Sequence, residues 1–298
     1  MNNVYRIIQR RKIWYSLSII IIIIGAVFIA LGGLKLGVDF TGGSLMQISF
    51  ADDRPAMSEI TNVFSGQNVE NVRMQTLGEL SYNIRFAEVD SQKHQEIQLA
   101  LKEKFNDYRE ESFEVIGPVI GQEVTNRAIT SISLVLLGII IYIMWAFRSA
   151  TSEFSSWMFG INAVIALLHD IAITIGIFAA LGYFFGIEIN VLFVTALLTI
   201  LGFSVHDTIV VFDRIRESLK VQSGTLEEIA NYSVNQTIVR SVNTTSTTLL
   251  VLLALFIFGG NSIHYFVLAL IIGMIAGTYS SIFIASPLLI SLSGLKKR

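Results

Sequence analysis

The stretch IWYSLSIIIIIIGAVFIALGGL, residues 13–34, decides the class of this chain. It holds no charged side chain, and at a helical rise of about 1.5 Å per residue it exceeds the roughly 30 Å of hydrocarbon in a bilayer. A helix crosses that layer because it bonds its own backbone polar groups, which lipid cannot do. The run is longer than the roughly 7–15 apolar residues of a secretory signal core, so it reads as an uncleaved anchor behind the basic start at 1–12. Working outward, charge-poor stretches recur at 128–147, 154–187, 189–212 and 241–295, and GGNS at 259–262 divides the last, which is too long for one span. Six spans are therefore expected, at 13–34 and at about 128–147, 157–181, 189–212, 241–258 and 264–290.

Lys and Arg give the expected orientation, because short loops rich in them stay in the cytoplasm. Arg6, Arg10, Arg11 and Lys12 precede span 1, and Arg148 follows span 2. Arg214, Arg216 and Lys220 lie between spans 4 and 5, and Lys296, Lys297 and Arg298 end the chain. With six spans all of these fall on one side, which places both termini in the cytoplasm. A cytoplasmic loop is expected at 213–240, where Leu226, Ile229 and Ala230 beside Glu227 and Glu228 suggest a short amphipathic helix on the membrane surface.

Between spans 1 and 2, residues 35–127 carry nine Lys or Arg against fifteen Asp or Glu, and they are too many for a structureless loop. SLMQISF at 44–50 alternates as a strand, 57–66 has helical spacing, and 71–77 with 79–86 flank Gly78 as a hairpin. In SQKHQEIQLALKEKFND at 91–107, Ile97, Leu101 and Phe105 repeat every four residues as one apolar helix stripe. A strand at 112–120 completes the order βαββαβ, which predicts an extracytoplasmic ferredoxin-like domain with both helices on one face of an antiparallel sheet. The chain has no cysteine, so this domain holds itself together by its core.

Inside the spans the chain keeps two acids clear of the ends, Asp170 and Asp207, each preceded by a histidine, His169 and His206. An acid at a helix centre costs about 2.5–3.5 kcal/mol on insertion scales, so such a residue is read as functional and turned into the bundle. Span 5 offers a partner: Gln236, Arg240, Thr244 and Thr248 recur every four residues, joined by Asn243 and Thr247, as one polar stripe. Arg240 stands at the depth of Asp207 and is expected either to pair with it or to snorkel to the interface. Ala163, Ala166, Asp170 and Thr174 suggest a close helix contact with one polar group in it, and Gly273 to Gly277 has the spacing of tight packing. Two isolated histidines lack metal-ligand spacing, no catalytic constellation or phosphate loop appears, and no basic tail points to nucleic acid. Neither an enzyme nor a bound cofactor is expected.

Five motifs then fall in order: KLGVDFTGGSLMQISF at 35–50, IGPVIGQEVTNRAI at 116–129, IALLHDIAITIGIF at 165–178, SVHDTIVVFDRIRESL at 204–219 and NQTIVRSVNTTSTT at 235–248. Together they resemble the SecD/SecF family of protein-export membrane subunits, on its SecF side, over nearly the whole chain. The resemblance implies an RND-superfamily membrane fold in a bacterial-type inner membrane. It also implies a separate SecD as partner, association with the SecYEG channel and YajC, and contact with an unfolded preprotein. A transmembrane proton or sodium gradient would be the energy source. Asp207 and Arg240 match the family's ion-coupling pair, and Asp170, His206 and Thr244 are further candidates. Two competing readings are an RND-like exporter of lipids or drugs and a scaffold that stabilises the translocon without transporting.

Overall fold

The computed structural model describes residues 5–148 and 154–295; the expected cytoplasmic residues 1–4 and 296–298 lie outside that range. In chain order the elements are α1 (Arg11–Ala30), β1 (Lys35–Leu36), α2 (Val38–Thr41), β2 (Gly43–Ser49) and α3 (Met57–Gly66). Then come β3 (Arg73–Leu77), β4 (Ser81–Phe86), α4 (Ser91–Lys104), β5 (Arg109–Ile116), α5 (Pro118–Ala146) and α6 (Ser156–Phe185). After these follow β6 (Glu188–Ile189), α7 (Val191–Val221), α8 (Leu226–Phe258) and α9 (His264–Ser280), which runs through a π-helical turn, Ser281–Ala285, into α10 (Ser286–Leu295). The chain divides into two compact units: residues 1–34, 130–184 and 192–298, and residues 35–129 with 185–191.

The first unit is the helical one. Among the described residues six helices are long and apolar enough to cross a membrane, the last being His264–Ser293. Rings knit α5, α6 and α7, with Phe147 and Phe159 centroids 4.7 Å apart and Phe159 and Phe212 5.3 Å apart. Offset and edge contacts of this kind suit the aromatic quadrupole. Where α1 crosses α6, a Cβ on Gly25 would lie 2.7 Å from the Cα of Gly176, so the two backbones touch and neither position has room for a side chain. The π-helical turn precedes Pro287, which has no N–H to give to the turn before it. Asn162 of α6 donates to the Ala285 carbonyl at 2.7 Å and Ser286 donates to the Ser281 carbonyl at 2.8 Å, so the bonds that the turn disturbs are replaced by side chains.

One expectation fails here. Residues 213–240 form no loop, since α7 continues to Val221 and α8 begins at Leu226. The charges that end the apolar run do not end the helix, because Arg216 pairs with Asp213 at 2.7 Å and Arg214 with Glu217 at 2.6 Å, both at i, i+3. Thr225 and Glu228 then form a reciprocal capping box that starts α8. The stretch read as a surface helix is the first turn of α8, with Ile229 and Ala230 buried. In the same way α5 starts at Pro118, ten residues before its apolar run, with proline in the first helical position and Arg127 paired to Glu123 across one turn.

The second unit holds a four-stranded sheet of order β3-β4-β2-β5, antiparallel throughout, built from the connectivity β2-α3-β3-β4-α4-β5. Alternation selects one face: Met46 and Ile48 of β2 stand opposite Ile84 and Tyr82 of β4, and all four are buried. Ile60 and Phe64 of α3 and Ile97, Leu101 and Phe105 at the end of α4 close over that face in one cluster. Full burial of Ile97 or Leu101 contributes about 1.5–3 kcal/mol each. Outside the sheet, β1 pairs in parallel with β6, so the connection between α6 and α7 belongs to this unit.

Candidate functional site

Asp170 and Asp207 mark two polar centres in the helical unit. The carboxylate of Asp170 on α6 is fully buried. Its Oδ2 accepts from Ser204 Oγ of α7 at 2.6 Å and from Ser280 Oγ of α9 at 2.9 Å, and its Oδ1 lies 3.0 Å from His169 Nδ1. The other ring nitrogen of His169 is 2.9 Å from Ser18 Oγ of α1, which also bonds the Tyr279 hydroxyl at 3.3 Å. A single acid thus gathers α1, α6, α7 and α9. A buried carboxylate costs free energy unless its lone pairs are used, and both oxygens are used here. The expected close contact is present, with Ala163, Ala166 and Thr174 fully buried on the same helix.

Asp207 lies three residues beyond Ser204 on α7 and is 7% exposed. Its Oδ1 accepts from Ser241 Oγ of α8 at 2.6 Å, while its Oδ2 is buried without a hydrogen-bond partner among the described residues. Of the two alternatives for Arg240, the pairing with Asp207 is not present: no ion pair joins them among the described residues, and the neighbour on α8 is Ser241. Arg240 stands on the exposed side of α8, lining a hollow with Asp213, Arg214, Glu217 and Gln236. Arg214 donates to Gln236 Oε1 of α8 at 2.5 Å and to Glu217 of its own helix at 2.6 Å.

The rest of the predicted stripe shares Arg240's face. Gln236, Asn243, Thr244 and Thr247 are all exposed, and the Thr244 carbonyl accepts from Thr247 and Thr248 within the helix. His206 is exposed too, on the opposite side of its helix from the Asp170 centre. The inner face of α8 is instead a second stripe, one residue further along: Ser233, Thr237, Ser241 and Thr245, every one buried. Thr245 meets Thr278 of α9 at 2.6 Å, and Thr208 of α7 meets Ser281 at 2.8 Å. Sequence reasoning missed Ser241, although its four-residue repeat with Thr237 and Thr245 was there to be read. Small hydroxyls fit a tight helix contact and an arginine does not.

The two acids differ in how they are bonded: protonating Asp170 would disturb three contacts, whereas Asp207 has one oxygen bonded and the other buried without a partner among the described residues.

Residues 96–294 match the family described as protein export membrane protein SecD/SecF, C-terminal, and residues 27–53 match the SecD/SecF GG motif. Protein translocase subunit SecF of Thermobaculum terrenum is 45% identical over 299 residues, covering 96% of this chain and 93% of that protein. The SecF of Anaerolinea thermophila is 38% identical over 288 residues, covering 95% and 92%. A crystal structure of SecDF, a translocon-associated membrane protein from Thermus thermophilus, superposes with a TM-score of 0.87 at 28% identity; it covers 100% of this chain, which spans 39% of that longer one. A second SecDF structure, in a super-membrane-facing form, gives 0.70 at 26% identity. The glycines of the motif have a physical reason: Gly42 and Gly43 take φ of +73° and +124°, which side chains rarely adopt. The protein is a polytopic helical membrane protein, and the chain belongs to the SecD/SecF family of protein-export membrane proteins.

Proposed function

We propose that this chain is the SecF-type subunit of the Sec export machinery and that, with SecD, it uses a transmembrane proton or sodium gradient to assist preproteins emerging from SecYEG. The observation that carries the proposal is Asp207, an acid in a membrane-length helix with one buried carboxylate oxygen that has no partner among the described residues, on the helix next to an exposed polar stripe on α8. Polar groups facing lipid are costly, so the stripe with Arg240 and Thr244 is a face for a partner of matching polarity. SecD is that partner in this reading, and completes an RND-like membrane domain in which Arg240, Asp207 and groups of the second subunit meet. His206 belongs to the same rim, and YajC is a further component of the assembly. The ferredoxin-like name suits the βαββαβ unit, which lies on the extracytoplasmic side while both termini and the 222–225 turn lie in the cytoplasm of a bacterial-type inner membrane.

The energy scale is adequate. At about 2.3 kcal/mol per charge per 100 mV, one ion crossing about 150–200 mV supplies about 3.5–4.6 kcal/mol. Moving a two-state element from 1:99 to 99:1 takes about 5.5 kcal/mol, so one ion drives a large part of such a shift. The test is preprotein export into inverted membrane vesicles with and without a gradient. Asp207→Asn should leave assembly with SecD intact and remove the stimulation by the gradient. Stimulation equal to the parent's at equal membrane abundance would leave the scaffold reading in its place.

A further inference from the structure

The connection between α6 and α7, residues 186–190 with the helix-end residues Phe185 and Val191, folds as part of the βαββαβ unit. Lys35 and Leu36 pair with Glu188 and Ile189 as parallel strands, and the Gly37 N–H extends the pairing by donating to the Ile189 carbonyl at 2.8 Å. Arg85, which projects from β4 in the interior of the sheet, ties this pair to the domain. Its guanidinium donates to the Leu36 carbonyl at 2.7 Å, to Glu188 Oε1 at 3.2 Å and to the Thr41 hydroxyl. The flat fork of arginine suits three acceptors set at different angles, which the point charge of lysine does not.

Asp39 adds the second tie. Its Oδ2 accepts from the backbone N–H of Val191 at 2.7 Å, and Val191 is the first residue of α7. The leading N–H groups of a helix have no acceptor within it, and negative charge there is favoured by the helix dipole, so Asp39 caps α7 from 152 residues away in sequence. Glycines let the pieces meet: a Cβ on Gly37 would lie 2.9 Å from the Ile189 carbonyl oxygen, and one on Gly43 would lie 2.9 Å from the Phe86 carbonyl oxygen.

We infer that Asp39 and Arg85 form a strut between the exported domain and the start of α7, the helix that carries Asp207, so that a displacement of α7 reaches the domain without passing through span 1. The inference rests on the proposed ion-coupling role of Asp207. Residues 186–190 leave no slack between α6 and α7, and the strand pair, the bridging guanidinium and the cap would all have to break for the segment to leave the domain. The strut therefore stays closed as α7 moves and acts by positioning. Asp39 and Arg85 are both absent from the domain's hydrophobic cluster, so their loss spares that core.

The chain has no cysteine, which makes the experiment direct. In the full complex with SecD in membranes, labels at Leu99 of the domain and at Val221 at the end of α7 report distance changes, and both positions are well exposed. Asp207→Asn is expected to shift this distance. Asp39→Ala and Arg85→Gln should each cut the shift by half or more and reduce gradient-stimulated export in proportion, at parental abundance. A disulfide joining Leu36→Cys and Ile189→Cys should leave the shift and the export at the parent's level. A full shift in both variants, or a disulfide that abolishes the shift, overturns the strut while leaving the Asp207 reading in place. No shift on Asp207→Asn in the otherwise unaltered chain overturns both.

Discussion

Asp170 and Asp207 are two acids of one helical unit, each following a histidine, and they have opposite surroundings. Asp170 is enclosed, with donors from α7 and α9 and the ring of His169 at bonding distance. Among the described residues Asp207 has a single donor, Ser241, and a buried oxygen without a partner, and the residue before Ser241 on α8 is the exposed Arg240. A carboxylate whose lone pairs are all used organises the helices around it and resists change. In the proposed function, the one with an unpaired oxygen is the acid whose state can change with less disturbance of its neighbours. Both acids follow a histidine, so helix geometry, and not the His-Asp pair itself, sets their different surroundings.

The contrast can be broken most severely at Asp170. Asp170→Leu strands two serine donors and a histidine in the bundle, and removal of one partner from such a buried set costs about 3–5 kcal/mol. Thermal unfolding in detergent should show a large drop in the melting temperature and poor recovery of the complex with SecD. Ile97→Ala provides a control in the other unit, where loss of a fully buried side chain costs about 2–5 kcal/mol. Its effect should appear in unfolding of the domain, with little change in the helical unit. Ser241→Ala removes the one donor to the Asp207 carboxylate among the described residues, a bond with a net value of about 0.5–1.5 kcal/mol. Gradient-stimulated export should fall between twofold and tenfold, with stability nearly unchanged. The smallest effect is expected at Thr244→Val: an exposed position on the isolated chain tolerates the change within about 0.5 kcal/mol. Its consequence should appear instead as weaker association with SecD, measured by co-purification.

The spans were legible because an uncharged run long enough to cross lipid has few other uses, and the domain because its periodicities change from four to two residues. Ile97, Leu101 and Phe105 lie in the core as their spacing required. What escaped were features with no periodicity. The charged end of α7 and the charged start of α8 look like loop, yet the charges of α7 pair within the helix and prolong it, and a capping box starts α8. The β1–β6 pair has two residues per strand, too few for any alternation to be visible, and its partners lie far apart in sequence. At the site, the acid was legible from its cost in the membrane and its neighbour was not. The stripe through Arg240 is conspicuous because its residues are large and polar. The stripe through Ser241 is inconspicuous because small hydroxyls pass for spacers, and small residues are what a close helix contact requires.

The central claim is that Asp207 couples an ion gradient to export while Asp170 holds the bundle together. It is tested most directly by gradient-stimulated preprotein export in vesicles containing equal amounts of the parent, Asp207→Asn and Asp170→Asn complexes with SecD, each also followed by thermal unfolding. The account predicts that Asp207→Asn melts within a few degrees of the parent and exports only at the gradient-free rate. It predicts that Asp170→Asn melts clearly lower and keeps a stimulated fraction for as long as it remains folded. Parental stimulation in Asp207→Asn, or its complete loss in an Asp170→Asn chain of unchanged stability, would contradict it.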